Sequence, residues 1–185
     1  MKRGLKVLGK VFIGFIVLII AVVLGFSWFV KANNKDYGDH NQILKSERQN
    51  AKKALVVYQP SRGKTTNKIA ESLAKGINQS GYEVTINYPG KHMSKDISQY
   101  SIVVFGSPVY IGQTSTTLSD YMKSIKISDT QKVLVFVTGG ELSNGELDKV
   151  ETQLGSRKAT EKVGFKNGEK DESKAYEIGK KIGAE

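Results

Sequence analysis

"ALVVYQPSRGKTTNK", residues 54–68, sets an aliphatic run of strand type against a hydroxyl-rich loop and the start of an amphipathic stretch. The letters "GKT" end a nucleotide-hydrolysing P-loop, whose amides cradle phosphates and whose lysine reaches the terminal phosphoryl group. That motif needs a glycine five positions before Gly63, and the chain has Tyr58 there, still inside the aliphatic run. No aspartate closes the fourth aliphatic run to help hold magnesium, so nucleotide hydrolysis is set aside. What remains is a short loop between a strand and a helix N-terminus, where free amides and the helix dipole favour an anion.

Outward from this unit the same alternation repeats. Strand candidates are "ALVVY" from Ala54, "YEVTINY" from Tyr82, "SIVVFG" from Ser101, "KVLVFVT" from Lys132 and a weaker "ATEKVGF" from Ala159. Between them, Ile69, Leu73 and Ile77 make one helical face; Leu118, Tyr121, Met122 and Ile125 a second; Leu147, Val150 and Leu154 a third; Ala175, Ile178 and Ile182 a fourth. Gly81 ends the first helix. Strands apolar on both faces and separated by helices predict an α/β fold, a parallel sheet covered on two sides. A chain of 185 residues, 39% apolar and 25% charged, is sized for one such core. It has no cysteine, which excludes disulfides, thiolate catalysis, iron–sulfur clusters and zinc–thiolate sites.

The segment after the third strand candidate reads "FGSPVYIGQTSTTLSDYMKSI", residues 105–125. Together with "PSRGKT" it resembles the flavodoxin-like family, over nearly all of residues 53–183. The resemblance implies a doubly wound five-stranded parallel sheet of order 2-1-3-4-5, with helices on both faces and FMN bound without a covalent bond. In such a sheet the ligand crevice opens between strands 1 and 3, and the two strongest motifs follow those strands. The implied phosphate loop is Ser61, Arg62, Gly63, Lys64, Thr65 and Thr66; the implied ring loop is Pro108, Val109, Tyr110, Ile111 and Gly112. Thr138, Gly139 and Gly140 stand where a third flavin-contacting loop is expected. Hydroxyls, amides and the charges of Arg62 and Lys64 suit a phosphate dianion, Tyr110 offers a flat face for stacking, and Gly112 admits close backbone approach. The cofactor carries the chemistry in this family, so no catalytic side chain and no metal ligand is named.

Two positions depart from the family's pattern: Pro60 stands where many members have a hydroxyl, and Lys64 where many have asparagine. Redox flavodoxins are usually acidic, whereas residues 51–185 carry 20 basic and 15 acidic groups, a net of +5. The resemblance implies an electron carrier with an unidentified redox partner. Alternatives are an FMN-dependent quinone or protoporphyrinogen oxidoreductase of the short type, or a binding module that kept the scaffold without cofactor. Basic residues are scattered through the amphipathic stretches, which argues against a nucleic-acid partner.

The N-terminal part is of another kind. Val11–Val30, "VFIGFIVLIIAVVLGFSWFV", is free of charge over 20 residues, the length of a helix crossing a bilayer core of roughly 30 Å. Trp28 and Phe29 fall where an interfacial aromatic belt would lie. The expected organisation is a basic cytoplasmic N-terminus at 1–10, a transmembrane helix at 11–30, a polar linker at 31–52 and a flavodoxin-like domain at 53–185. Lys2, Arg3, Lys6 and Lys10 precede the apolar run, whereas the basic residues after it are diluted by Asp36, Asp39 and Glu47. This bias places the N-terminus inside and the domain outside the cytoplasm. "VKA" ending at Ala32 also fits signal cleavage and secretion, but the apolar run is longer than a usual signal core and favours an uncleaved anchor. Ile43 and Leu44 form the linker's one apolar pair and are too little to fold alone. His40 reads as a solvated linker residue, and His92, after the second strand, as structural or solvated.

Overall fold

The computed structural model describes residues 2–166 and 168–184. The chain forms two compact units, Met1–Asn33 and Asn34–Glu185. The first is helix α1, Lys2–Asn33. Its stretch Leu8–Asn33 is the one described helix long and apolar enough to cross a membrane, and none of it is buried in protein. A helix apolar on all faces has no polar side to turn toward water. At its end the Asn33 side chain donates to the Phe29 carbonyl at 2.8 Å.

The second unit is built on six strands: β1 (Gln42–Leu44), β2 (Lys53–Tyr58), β3 (Glu83–Asn87), β4 (Tyr100–Pro108), β5 (Lys132–Thr138) and β6 (Glu161–Phe165). The sheet order is β1-β3-β2-β4-β5-β6. Strands β2 to β6 run parallel, with Val56 opposite Ile86 and Val104, and Phe105 opposite Val135. These five reproduce the expected 2-1-3-4-5 order. Four of the five parallel strands are followed by a helix: α2 (Thr65–Gln79) after β2, α3 (Thr116–Ser124) after β4, α4 (Asn144–Glu151) after β5, and α5 (Gly168–Ala184) after β6. The β3–β4 connection is irregular.

Alternate residues of each strand feed opposite cores. Ala54, Val56, Tyr58, Val104 and Phe136 meet Ile69, Leu73 and Ile77 of α2 and Ala175 and Ile182 of α5 on one face. Leu55, Val57, Val103, Phe105 and Val135 meet Leu118, Tyr121 and Met122 of α3 and Val150 of α4 on the other. Helices α2 and α5 touch backbone to backbone, because a Cβ on Gly179 would collide with the Leu73 carbonyl, and one on Gly76 with the Tyr176 carbonyl.

Residues 34–52 differ from the free polar linker expected. Gln42–Leu44 pairs antiparallel with β3, Ile43 opposite Thr85. The Asn78 side chain donates to the carbonyls of Leu44 (3.2 Å) and Lys45 (3.0 Å), and Ser46 Oγ to that of Gly81 (3.0 Å). Three residues are too short to show a period, but the open edge of β3 supplies the hydrogen bonds they lack alone. His40 is likewise packed, its ring stacked on Tyr88 with centroids 4.3 Å apart. His92 Nε2 lies 3.8 Å from Asp39 Oδ1.

Candidate functional site

Strand β2 lies between β3 and β4, so successive crossovers leave it in opposite directions and open a crevice at the carboxyl ends of β2 and β4. Three loops meet there. The first, residues 59–64, leaves β2 through buried Gln59, whose amide N–H continues the sheet to the Gly106 carbonyl at 2.9 Å. Ser61–Lys64 closes as a turn, Lys64 N–H donating to the Ser61 carbonyl at 3.0 Å. Ser61 is held from two sides: its Oγ accepts from the Thr66 amide (3.1 Å) and its own amide donates to Asn67 Oδ1 (3.2 Å). Lys64 precedes α2 in the left-handed region, φ 58°, with no side-chain cap on the helix. That leaves the amides of Gly63 and Thr65 without a hydrogen-bond partner among the described residues. They sit at the positive end of a 15-residue helix.

The second loop, residues 109–115, is positioned by a buried hydroxyl–amide network. Ser115 Oγ donates to Gln59 Oε1 (3.1 Å) and accepts the Leu118 amide (3.2 Å) as the cap of α3; the Ser115 amide donates to Ser107 Oγ (2.8 Å). Val109 N–H donates to the Thr138 carbonyl at 2.8 Å, tying the second loop to the third. Tyr110 and Gln113 exchange both backbone hydrogen bonds around Ile111 (φ 52°) and Gly112 (φ 69°). This is the two-residue turn that demands left-handed residues at both central positions. Gly112 meets the demand freely; Ile111 meets it under strain, and its side chain is 58% exposed. Lys149 Nζ clamps the turn by donating to the Gly112 carbonyl at 2.8 Å. Tyr110 reaches back across the crevice, where its hydroxyl accepts the Arg62 amide at 2.9 Å.

The third loop, residues 138–143, starts with the Gly139 amide donating to the Phe165 carbonyl and ends at Ser143, which caps α4 in a reciprocal box with Glu146. Between them Gly140 faces open space.

These loops enclose a cavity of about 360 Å³, within the ~300–1,000 Å³ range of small-molecule sites. Ser61, Gly63 and Thr65 line one end, Pro108, Val109 and Tyr110 the middle, Thr138, Gly139 and Gly140 the far wall. Ile111 and Gly112 line an adjoining cavity of about 520 Å³ that shares Val109 and Gly140. Arg62 and Lys64 flank the first cavity with exposed side chains and do not line it. Thr66 does not line it either. Its hydroxyl is fully buried and shared with that of Thr138 at 2.6 Å, joining the first loop to the third. The sequence did not single out Lys166, which lines the cavity directly after β6, nor Glu141, Leu142, Ser143 and Glu146 around the adjoining one. Lys166 could have been found from its place one residue beyond the weakest strand candidate, on the same sheet edge.

A larger cavity, about 540 Å³, lies at the opposite sheet edge among Arg48, Lys52, Ser101 and Lys132. Its helical lining includes Gly183 and Ala184 at the C-terminal end of α5, and the Lys132 ammonium there donates to the Ile182 carbonyl at 3.1 Å. The crevice is the better site on physical grounds. Two groups at its rim are shifted. Burial, then the nearby Tyr110 and Tyr88, raises the Tyr37 hydroxyl above its usual value. Hydrogen bonds from the Ser143 hydroxyl and amide hold the Glu146 carboxyl below its own.

The flavodoxin domain family matches residues 55–180, about two thirds of the chain. An uncharacterized protein of Methanocaldococcus jannaschii is 32% identical over 90 residues, which cover 48% of this chain and 55% of that protein. Among solved structures, a flavodoxin from the domain Archaea superposes with TM-score 0.57 at 18% identity, covering 71% of this chain and 96% of that one. The oxidised flavodoxin 2 of Bacillus cereus gives 0.56 at 22%, covering 69% and 94%. The rubredoxin oxygen:oxidoreductase of Desulfovibrio gigas gives 0.58 at 21%, with 72% of this chain matched to only 35% of that larger one.

Proposed function

Because this chain belongs to the flavodoxin domain family, we propose that its crevice binds FMN non-covalently and that the domain transfers electrons while tethered to a membrane by α1. One observation carries the reading: Gly63 and Thr65, whose amides have no hydrogen-bond partner among the described residues, line the cavity that the three loops enclose, at the N-terminus of α2. A phosphate supplies the acceptors those donors lack, the hydroxyls of Ser61 and Thr65 add to the same end, and Lys166 brings a cation to the cavity lining. The residues fit the cofactor. Val109, Pro108 and the Tyr110 ring give the middle of the cavity an apolar, flat lining, and Gly139 and Gly140 let backbone approach where a side chain would intrude. Bound there, FMN would supply one- and two-electron chemistry.

The chain's own work is positioning. Thr66–Thr138 and Val109–Thr138 lock the three loops to each other, and Lys149 fixes the Gly112 carbonyl at the rim. The departures at Pro60 and Lys64 suit this arrangement. Pro60 is buried at the exit of β2, and Lys64 uses backbone conformation rather than an asparagine side chain to shape the turn. The 520 Å³ cavity beside the first favours a second reading, an FMN-dependent oxidoreductase that takes a quinone or protoporphyrinogen as substrate there.

The membrane part rests on the length and apolarity of Leu8–Asn33. Basic residues ahead of it favour a cytoplasmic N-terminus with the flavin domain outside.

Titration of residues 34–185 with FMN and riboflavin, followed by flavin fluorescence, tests the cofactor assignment. Charge-assisted hydrogen bonds to a phosphate are worth about 1.5–3 kcal/mol, so FMN should bind roughly 10- to 100-fold more tightly. Equal affinity would remove the phosphate assignment, and no quenching with either would leave a cofactor-free module.

A further inference from the structure

Residues 34–41, the first of the second unit, run along the crevice edge. Asn34 follows directly on Asn33, and its carbonyl accepts the Thr117 hydroxyl at 2.6 Å, at the start of α3. The Lys35 carbonyl accepts Gln59 Nε2 at 3.0 Å, two residues before Ser61. Asp39 Oδ1 accepts Asn87 Nδ2 and the His40 amide donates to Asn87 Oδ1, both at 2.8 Å, at the end of β3. Every one of these contacts lies at the carboxyl edge of the parallel strands, the edge that holds the crevice. Yet the chain must enter β2 at the opposite edge, at Lys53. It crosses the domain to get there, running antiparallel as β1. A direct tether would join the domain where β2 begins; here 19 residues, 34–52, are used to return the attachment point to the crevice edge.

The surface of that edge has the chemistry of an interface. Among the described residues of the second unit, the exposed large apolar side chains are Tyr37, Ile43 and Ile111, and two of the three stand on this edge. Ile111 is both strained and exposed, an expensive combination for a residue surrounded by water. On the loops of this edge Lys35, Arg62, Lys64, Lys91 and Lys166 are exposed against the exposed carboxylates Asp36, Asp39 and Glu141, which leaves cations in excess.

We propose that the crevice edge of the domain docks on the bilayer surface, with Ile111 and Tyr37 entering the headgroup region and the surrounding cations meeting anionic lipid. The inference rests on the reading of α1 as a membrane tether. Aromatic and aliphatic side chains flanked by lysine and arginine suit the interface, and an attachment at Asn34 holds this edge there. The site's electron-exchange partner is then one met at the membrane surface, and large soluble proteins are screened from it.

The absence of native cysteine makes a site-directed spin-label test clean. The full chain, carrying Ile111→Cys or Glu141→Cys on the crevice edge, or Ser98→Cys or Thr130→Cys on the opposite one, is reconstituted in phosphatidylcholine–phosphatidylglycerol vesicles. Power-saturation resonance then compares collisions with oxygen, which enters the bilayer, and with a nickel chelate, which stays in water. Strand β4 spans nine residues, which sets the two edges roughly 25 Å apart. A severalfold higher oxygen-to-nickel ratio at 111 and 141 than at 98 and 130 is expected. Equal ratios, or the reverse order, overturn the proposal. A chain that fails to float with the vesicles overturns the tether reading and the docking with it. Neither outcome bears on the cofactor, because the readout requires no FMN.

Discussion

The Thr66–Thr138 hydroxyl pair allows a quantitative separation of scaffolding from ligand binding. Both residues are buried, at 0% and 3% exposure, and their oxygens are 2.6 Å apart. Thr66→Val keeps the shape and the β-branch while removing one partner, so Thr138 is left with an unsatisfied buried hydroxyl at a cost of about 1–3 kcal/mol. The Thr66 amide, which donates to Ser61 Oγ, is untouched. Replacing both threonines by valine removes the orphan along with the bond and should be close to neutral. Urea unfolding of residues 34–185 by circular dichroism should therefore show each single variant less stable and the double variant partly restored. The coupling energy should be about 1–2 kcal/mol. FMN affinity in Thr66→Val should fall only modestly, since Thr66 is buried and does not line the cavity. Unchanged stability with FMN binding abolished in Thr66→Val would instead make the hydroxyl a ligand contact and rule out a scaffolding role.

Other perturbations address other layers of the structure. Gly179→Ala places a methyl against the Leu73 carbonyl at the α2–α5 contact and should cost about 2–3 kcal/mol in urea unfolding. Tyr110→Ala should weaken FMN binding by about 1–3 kcal/mol with the fold intact by circular dichroism. Unchanged affinity would remove Tyr110 from the site. Glu151 is a pH probe. Burial pushes its carboxyl up, but the Lys162 hydrogen bond, the Ala159 amide and the charges of Lys162 and Lys158 outweigh burial and hold it below its usual value. A depressed carboxyl stabilises the fold above its unfolded pKa and loses that contribution as pH falls through the folded one. Glu151→Gln should then cost about 1–2 kcal/mol at pH 7, and the difference should shrink in unfolding curves taken below about pH 4.

Most of the sheet was legible because its strands are buried on both faces. Runs such as "KVLVFVT" leave no other use for consecutive aliphatics, and the four-residue spacing of Ile69, Leu73 and Ile77 fixes the helix between them. β1 was not legible, since Ile43 and Leu44 acquire strand structure only by borrowing the edge of β3. The loops were legible by residue type and position, but not in what each polar group does. Thr66 reads as a phosphate ligand in "GKTT", and its hydroxyl goes instead to Thr138, 72 positions away. Similarly "YIGQ" hides a turn that would favour asparagine or glycine where Ile111 stands, so the strain there became visible only in the backbone. Long-range pairings of this kind have no local signature.

The visible absorption spectrum of the purified full chain, with chromatography of the flavin released on heating, tests the central assignment most directly. The expected result is the two absorption bands of an oxidised flavin, and FMN rather than FAD or riboflavin in the released fraction, in a ratio near one per chain. A colourless protein that takes up no FMN on titration would contradict it.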